Sequence, residues 1–235
     1  MIKIGLVSYE FINNDINFNI SQIEKATKVS NDIDMLCFGE TFLQGFDAFN
    51  WKYKHDKKIA ITKDSKIMNH LEQLSKDNNI DLCFGYLERD NEDLYSSYAI
   101  IINGKLTYNY RRISKGWKKV SLTDYHYKEG NEIVCFEYKG HNIVIALCGD
   151  MWEYPEKYKS TGVLLWPVYV NFSLDEWKDY EQEYAEQALL ACNNTLMINS
   201  LSDMPKSFGG SFYFKDGKIV NKTPYDKEKI LIIEI

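Results

Sequence analysis

Paired cysteine chemistry is missing from this chain. Its five cysteines, Cys37, Cys83, Cys135, Cys148 and Cys192, are odd in number, widely spaced and form no Cys-x-x-Cys. That pattern excludes a disulfide framework and a tetrahedral zinc site. Histidine is scarce too: four residues, none in a His-Glu-x-x-His, which argues against a metal-dependent hydrolase. No Gly-x-Ser-x-Gly turn, P-loop or dinucleotide-binding glycine fingerprint is present. Proline occurs only four times, with no Pro/Ser-rich linker, internal repeat or low-complexity tract, so residues 1–235 are expected to form one domain. No apolar run approaches the ~20 residues of a membrane span. No charged segment leads into an apolar signal, and a cytoplasmic location is expected. With 28 basic against 34 acidic residues the net charge is −6, which argues against a nucleic-acid footprint.

What is present is the balance of a globular protein with a sizeable core, 45% hydrophobic and 26% charged. Ile2 to Tyr9 and the apolar runs Ile33 to Gly39 and Ile80 to Leu87 read as strands. Ile16 to Ser30 and Asp64 to Asn78 carry apolar residues at helical spacing. Hairpins follow at Asn103-Gly104, at Lys139-Gly140-His141 and at Asp216-Gly217; Asn-Gly suits a type I′ turn, whose two central residues need positive φ. A long helix is predicted from about Ser173 to Asn193, with Ser173 and Glu176 at capping-box spacing. Early alternation of strands and helices, then hairpins, predicts mixed sheets stacked face to face and covered by helices: an α/β sandwich.

The most informative segment runs from Asn142 to Asp150. A buried strand delivers Cys148 to its C-terminal end, Gly149 permits a sharp turn, and Asp150 is placed to cap a short helix over Met151 to Lys159. Two readings stand for Cys148. It is a core cysteine, or it is a nucleophile whose thiolate is favoured by the N–H groups of the helix start. A nucleophilic thiol needs a base. The four histidines lie in polar stretches or turns, whereas Glu40 ends the strand 33–39 just as Cys148 ends 142–147. Arg112 ends a third strand, and if the three run the same way, a carboxylate, a cation and a thiol meet at one sheet edge. A solvated or capping role is the plain alternative for Glu40.

At these positions the chain resembles the nitrilase superfamily of carbon–nitrogen hydrolases. That family's pattern has Glu in Asp-x-x-x-x-Pro-Glu, Lys in Tyr-Arg-Lys, and Cys in Cys-x-Asp-x-x-x-x-Pro-Glu. Here Asp34 to Glu40 fits the first with Gly39 in place of Pro, and Cys148 to Glu156 fits the third closely. Further likeness runs through Thr41-Phe42-Leu43-Gln44-Gly45-Phe46, Leu165-Trp166-Pro167, Ala185-Glu186-Gln187 and Gly209-Gly210-Ser211. Two departures are plain. The family lysine falls on Arg112, and a second family glutamate is not found, Thr123 and Asp124 standing before Tyr127-Lys128-Glu129-Gly130.

The resemblance implies a four-layer αββα sandwich and a cysteine-dependent amidase acting on a small amide, with a thioester intermediate and release of ammonia or an amine. It implies Glu40 as base, Cys148 as nucleophile and a cation as stabiliser, with the oxyanion also held by the Gly149 N–H. No metal or organic cofactor is called for, and a homodimer is implied. Of the 28 basic residues only Arg89, Arg111 and Arg112 are arginine, so two of three are adjacent at the family's lysine position. That suggests a split in which Arg112 grips Glu40 or the substrate oxygen through two donors while Lys115, beside Gly116, supplies a mobile ammonium; a chance Arg or a surface ion pair is the plain alternative. Trp117, Trp152, Tyr169 and Phe172 lie near the strand ends as pocket linings or ordinary packing. The competing function is a catalytically silent relative that binds a small molecule or a protein.

Overall fold

The computed structural model describes residues 1–30 and 32–235. Two six-stranded sheets carry the chain. The first has the order Lys229–Glu234, Lys3–Ser8, Met35–Cys37, Asp81–Asp90, Asp93–Ile102 and Lys105–Arg111. The second has the order Lys218–Lys222, Phe212–Lys215, Asn194–Asn199, Val163–Val168, His141–Ile145 and Cys135–Tyr138. Both are mixed: Lys3–Ser8, Met35–Cys37 and Asp81–Asp90 pair in parallel, as do His141–Ile145, Val163–Val168 and Asn194–Asn199, and antiparallel strands flank each set.

Side-chain alternation makes the layers, because successive residues of a strand face opposite sides. In the first sheet Met35, Cys37, Cys83, Tyr98 and Ile100 join the core shared with Val144, Leu164 and Met197 of the second. Their neighbours Leu36, Leu82, Phe84, Ala99 and Ile101 face the other way, onto Ile23 and Ala26 of the helix Ile16–Lys28 and Met68 and Leu71 of the helix Lys66–Asn78. The helix Leu174–Leu189 covers the second sheet with Trp177, Tyr184, Ala185 and Ala188. The αββα order expected of the sequence is the one observed.

Local chemistry explains the boundaries. Ser173 Oγ accepts from the Glu176 N–H while Glu176 accepts from the Ser173 N–H at 2.8 Å, closing the capping box. Both central residues of the Asn103-Gly104, Lys139-Gly140 and Asp216-Gly217 turns have positive φ. The second of these is shorter than expected: His141 already pairs with Tyr138, leaving a two-residue turn. The strand expected over Ile33 to Gly39 is regular only at Met35–Cys37, and the helix expected to reach Ser30 ends at Lys28. A helix Tyr53–Ile59 and a small sheet of Glu10–Phe11, Leu201–Ser202 and Ser207–Phe208 carry no sequence pattern strong enough to announce them. Among the described residues no helix is long and apolar enough to cross a membrane, and no group of three or more His, Cys, Asp or Glu could hold a metal ion.

Arg111 is structural. Its guanidinium reaches Glu88 at 2.6 and 2.9 Å and Asp90 at 2.6 Å, and it stacks on Tyr95 at 3.9 Å. Glu88 is fully buried and also accepts from Ser97 and Asn109. Burial opposes its charge, but the Arg111 and Ser97 hydrogen bonds outweigh burial and hold the carboxyl below its ordinary value. A carboxyl depressed by folding stabilises the fold above its unfolded pKa, and that contribution is lost as pH falls through the folded value. Glu88→Gln should therefore cost about 3–5 kcal/mol at neutral pH, as breaking a buried pair does. Urea denaturation should show the gap from wild type narrowing below about pH 4.

Candidate active site

Three strand ends and their following turns assemble the site. Glu40 follows Met35–Cys37, with its N–H bonded to the Val168 carbonyl at 3.2 Å. Arg112 follows Lys105–Arg111, with its N–H on the Ser96 carbonyl at 2.9 Å. Cys148 follows His141–Ile145, with its N–H on the Pro167 carbonyl at 2.9 Å. These anchors bring together a carboxylate from one sheet, a guanidinium from its edge strand and a thiol from the facing sheet.

Arg112 is 3% exposed and Glu40 is 0% exposed, so their contact is a buried ion pair. Arg112 Nη1 donates to Glu40 Oε1 at 2.8 Å, and Ser96 Oγ reaches the same oxygen at 3.3 Å. Arg112 Nε donates to Ser114 Oγ at 2.7 Å. Its third nitrogen, Nη2, lies flush against the turn after the thiol: a Cβ on Gly149 would come within 2.3 Å of it, and one on Gly116 within 3.0 Å. The missing side chains of Gly149 and Gly116 thus make room for a group wider than an ammonium. Burial works against the guanidinium's charge, yet Glu40, Cys148 and Asp150 hold its pKa above the ordinary value.

Glu40 Oε2 is buried and has no hydrogen-bond donor of its own. The Glu40 and Arg112 charges both act on the Cys148 thiol, as does the backbone N–H of Tyr169. Burial, then the Glu40 charge, push the thiol up to about 12, against the opposing pull of Arg112. Of the two readings of Cys148, the nucleophile reading expected a thiolate favoured by the helix start over Met151 to Lys159; the helix observed spans only Asp150–Glu153. The sharp turn also sits one residue earlier than expected. Cys148 has φ 43°, in the left-handed region, whereas Gly149 has an ordinary φ of −62°. A non-glycine residue held there is a local strain of the kind found at reacting sites.

Asp150 does not cap the helix it begins. Its carboxylate accepts from the Leu147, Ile113 and Ser114 N–H groups and from Tyr110 Oη. Gly39 stands where the family pattern has proline because Ser200 packs there: a Cβ would meet Ser200 Oγ at 2.6 Å.

The structure separates the remaining candidates. Lys115 opens the short 3₁₀ turn Lys115–Trp117, is exposed, and makes no hydrogen bond or ion pair with Glu40, Arg112 or Cys148 among the described residues. Trp117 is buried with Phe49, Leu94 and Tyr127 in a separate cluster, so packing explains it. Tyr169 stacks on Phe46 at 4.7 Å and bonds Ser202, leaving only its backbone at the thiol. Trp152 and Phe172 pack around Tyr184 at 5.1 and 6.2 Å; Trp166, also of that group, donates its indole N–H to the Cys148 carbonyl at 2.9 Å. Sequence reasoning missed Ser96, Ser114, Trp166 and Tyr184. Only Ser114, two residues beyond Arg112, had a positional signal.

Two facing six-stranded mixed sheets between helical layers, with a half-buried thiol and a buried carboxylate and cation at adjoining strand ends, define the nitrilase-type sandwich. Residues 3–235 match the carbon-nitrogen hydrolase family, and the chain belongs to it. An amidase of Nesterenkonia sp. AN1 superposes with a TM-score of 0.80 at 14% identity, over 100% of this chain and 93% of its own. In another structure of that amidase, a variant, acrylamide is added at the active-site cysteine. A CN-hydrolase superfamily protein of Xanthomonas campestris gives a TM-score of 0.79 at 17% identity over 99% of this chain and 89% of its own, and carries an arsenic adduct in its active site. The glutamine-dependent NAD(+) synthetase of Thermotoga maritima is 21% identical over 94% of this chain and 40% of its own length. The chain thus spans less than half of that relative.

Proposed function

We propose that the chain is a cysteine-dependent amidase that cleaves a small amide through a thioester on Cys148. The observation that carries the reading is the buried pair of Glu40 and Arg112 beside the half-buried Cys148, in which one carboxylate oxygen is held by the cation and the other has no donor of its own. A thiol pushed up to about 12 is almost wholly protonated at neutral pH, so it reacts only if a base takes its proton during attack. Glu40 Oε2 is placed to do so.

In the proposed sequence, sulfur bonds to the amide carbon and Glu40 takes the thiol proton. The oxyanion forms against Arg112 Nη2 and the Gly149 N–H. Collapse breaks the C–N bond, Glu40 returns its proton to nitrogen, and ammonia or an amine leaves a thioester. Water, deprotonated by Glu40, then releases the carboxylic acid and restores the thiol. Arginine cannot give up a proton under these conditions, so proton traffic falls to Glu40 alone. The guanidinium already meets both needs once divided between Arg112 and Lys115, holding Glu40 with one nitrogen and facing the reacting carbon with another. Lys115 is left outside the set.

One observation favours a second reading, a silent relative that binds without reacting: the thiol is held far from thiolate. Turnover separates the two. Screening ω-amides, N-carbamoyl compounds and simple aliphatic amides for ammonia release should find a substrate. Cys148→Ala and Glu40→Gln should abolish its hydrolysis while leaving the circular dichroism spectrum unchanged; full activity in Cys148→Ala would remove the mechanism. Arg112→Lys should lose about 10²-fold or more in turnover, as loss of an oxyanion donor does. Lys115→Met should match wild type, and a comparable loss there would restore the split.

Assembly is part of the same reading. Trp152, Tyr180, Leu189 and Leu190 are exposed on or beside the helix Leu174–Leu189, an apolar surface suited to a second copy. Light scattering at micromolar concentration should return twice the 27.5 kDa chain mass, and a monomer would dismiss the dimer.

A further inference from the structure

We infer that Asp150 is a positioning residue: its single carboxylate ties the segment carrying Arg112 to the turn carrying Cys148 and so sets where the guanidinium stands relative to the thiol. The inference rests on reading Glu40, Arg112 and Cys148 as the reacting set. Asp150 is fully buried, and each of its oxygens serves both strand ends or one of them twice. Oδ1 accepts from the N–H of Ile113 at 3.1 Å and of Ser114 at 2.7 Å, the two residues after Arg112. Oδ2 accepts from Tyr110 Oη at 2.6 Å, two residues before Arg112, and from the Leu147 N–H at 2.9 Å, directly before Cys148.

The ties extend on both sides. Tyr158 backs Tyr110 with a hydroxyl contact of 2.7 Å, so the Tyr110 proton is directed at the carboxylate. Ser114, fixed through its N–H, offers its own Oγ to Arg112 Nε at 2.7 Å, and Arg112 in turn holds Glu40. On the thiol side the Asp150 N–H returns to the Leu147 carbonyl at 2.9 Å. Leu147 and Asp150 thus exchange two hydrogen bonds across Cys148 and Gly149, which pins the left-handed φ of Cys148. An amide at position 150 has the same shape, but its NH₂ must face either donors from Ile113 and Ser114 or donors from Leu147 and Tyr110. One pair of ties is lost whichever way it turns.

Charge and position make opposite predictions for the thiol. If Asp150 acted only as a nearby negative charge, removing it would ease thiol ionisation. If it holds Arg112 in place, removing it weakens the cation that, with the Tyr169 N–H, favours the thiolate. The experiment measures iodoacetamide alkylation of Cys148 at about pH 8.5 by peptide mass spectrometry, in the full chain carrying Cys135→Ser, since Cys135 is an exposed thiol. Asp150→Asn should slow Cys148 alkylation about tenfold, the effect of one pKa unit in the thiol, with buried Cys37, Cys83 and Cys192 still protected. A rate equal to wild type or faster overturns the inference.

Modification of all three buried cysteines would show that the variant does not fold. Ser114→Ala then decides, because it keeps the backbone ties to Asp150 and removes only the acceptor for Arg112 Nε. Slower Cys148 alkylation there supports the inference, and an unchanged rate overturns it. Failure of the amidase reading is distinguishable. If no amide is hydrolysed and alkylation still slows in Asp150→Asn, the amidase reading falls alone. If Cys148→Ala abolishes hydrolysis and Asp150→Asn alkylates like wild type, only the inference falls.

Discussion

A guanidinium buried against a carboxylate has to be satisfied on all sides or it destabilises the fold that contains it. Arg112 meets that demand in two directions and keeps a third open. Glu40 takes one nitrogen, Ser114 another, and the two glycines Gly116 and Gly149 leave space for the third. Much of the local sequence follows from this one group. Ser114 must be an acceptor, position 149 must lack a side chain, and the strand ends bearing Glu40 and Arg112 must end at the same level. The pair also divides the carboxylate into a held oxygen and a free one, and the asymmetry is what gives Glu40 a direction.

The fold was largely legible in the sequence because its elements announce themselves by local rules. The Ser173 and Glu176 capping box, the positive-φ turns and the apolar strand runs each depend on neighbours within a few residues. Glu40, Arg112 and Cys148 were legible as ends of apolar runs and as motif positions. Their mutual distances were not, because these depend on which strands run parallel and which sheet faces which. For the same reason Trp117 and Tyr169 looked like pocket linings but are packing residues: aromatics near a strand end satisfy both descriptions until the layers are known. The sharp turn expected at Gly149 falls on Cys148 for a subtler cause. Glycine suggested backbone freedom, whereas here its value is the absence of a Cβ beneath a guanidinium. The role inferred for Asp150 was hidden because three of its four partners, Tyr110, Ile113 and Ser114, lie 36 to 40 positions earlier.

Membership of the carbon-nitrogen hydrolase family leaves a wide range of acyl groups open, and the relatives illustrate it, one an amidase and another a glutamine-dependent synthetase more than twice as long. In this chain an aromatic cluster reaches the turn that carries the thiol. Trp152, Trp166, Phe172 and Tyr184 pack edge and face around one another, and Trp166 is tied to the Cys148 carbonyl. Rigid aromatic surfaces of this kind discriminate by shape, since rearranging one ring displaces its neighbours.

The identity of the cation has a consequence for how the site meets alkaline surroundings. A lysine in a buried pocket surrenders its charge readily, so a site built on it has an alkaline edge set by its own cation. Arg112 removes that edge. Although burial opposes its charge, Glu40 and its neighbours keep the guanidinium more firmly protonated than a free arginine. The cation beside Cys148 therefore keeps its charge as the medium becomes more basic, and it is the sulfur that changes state.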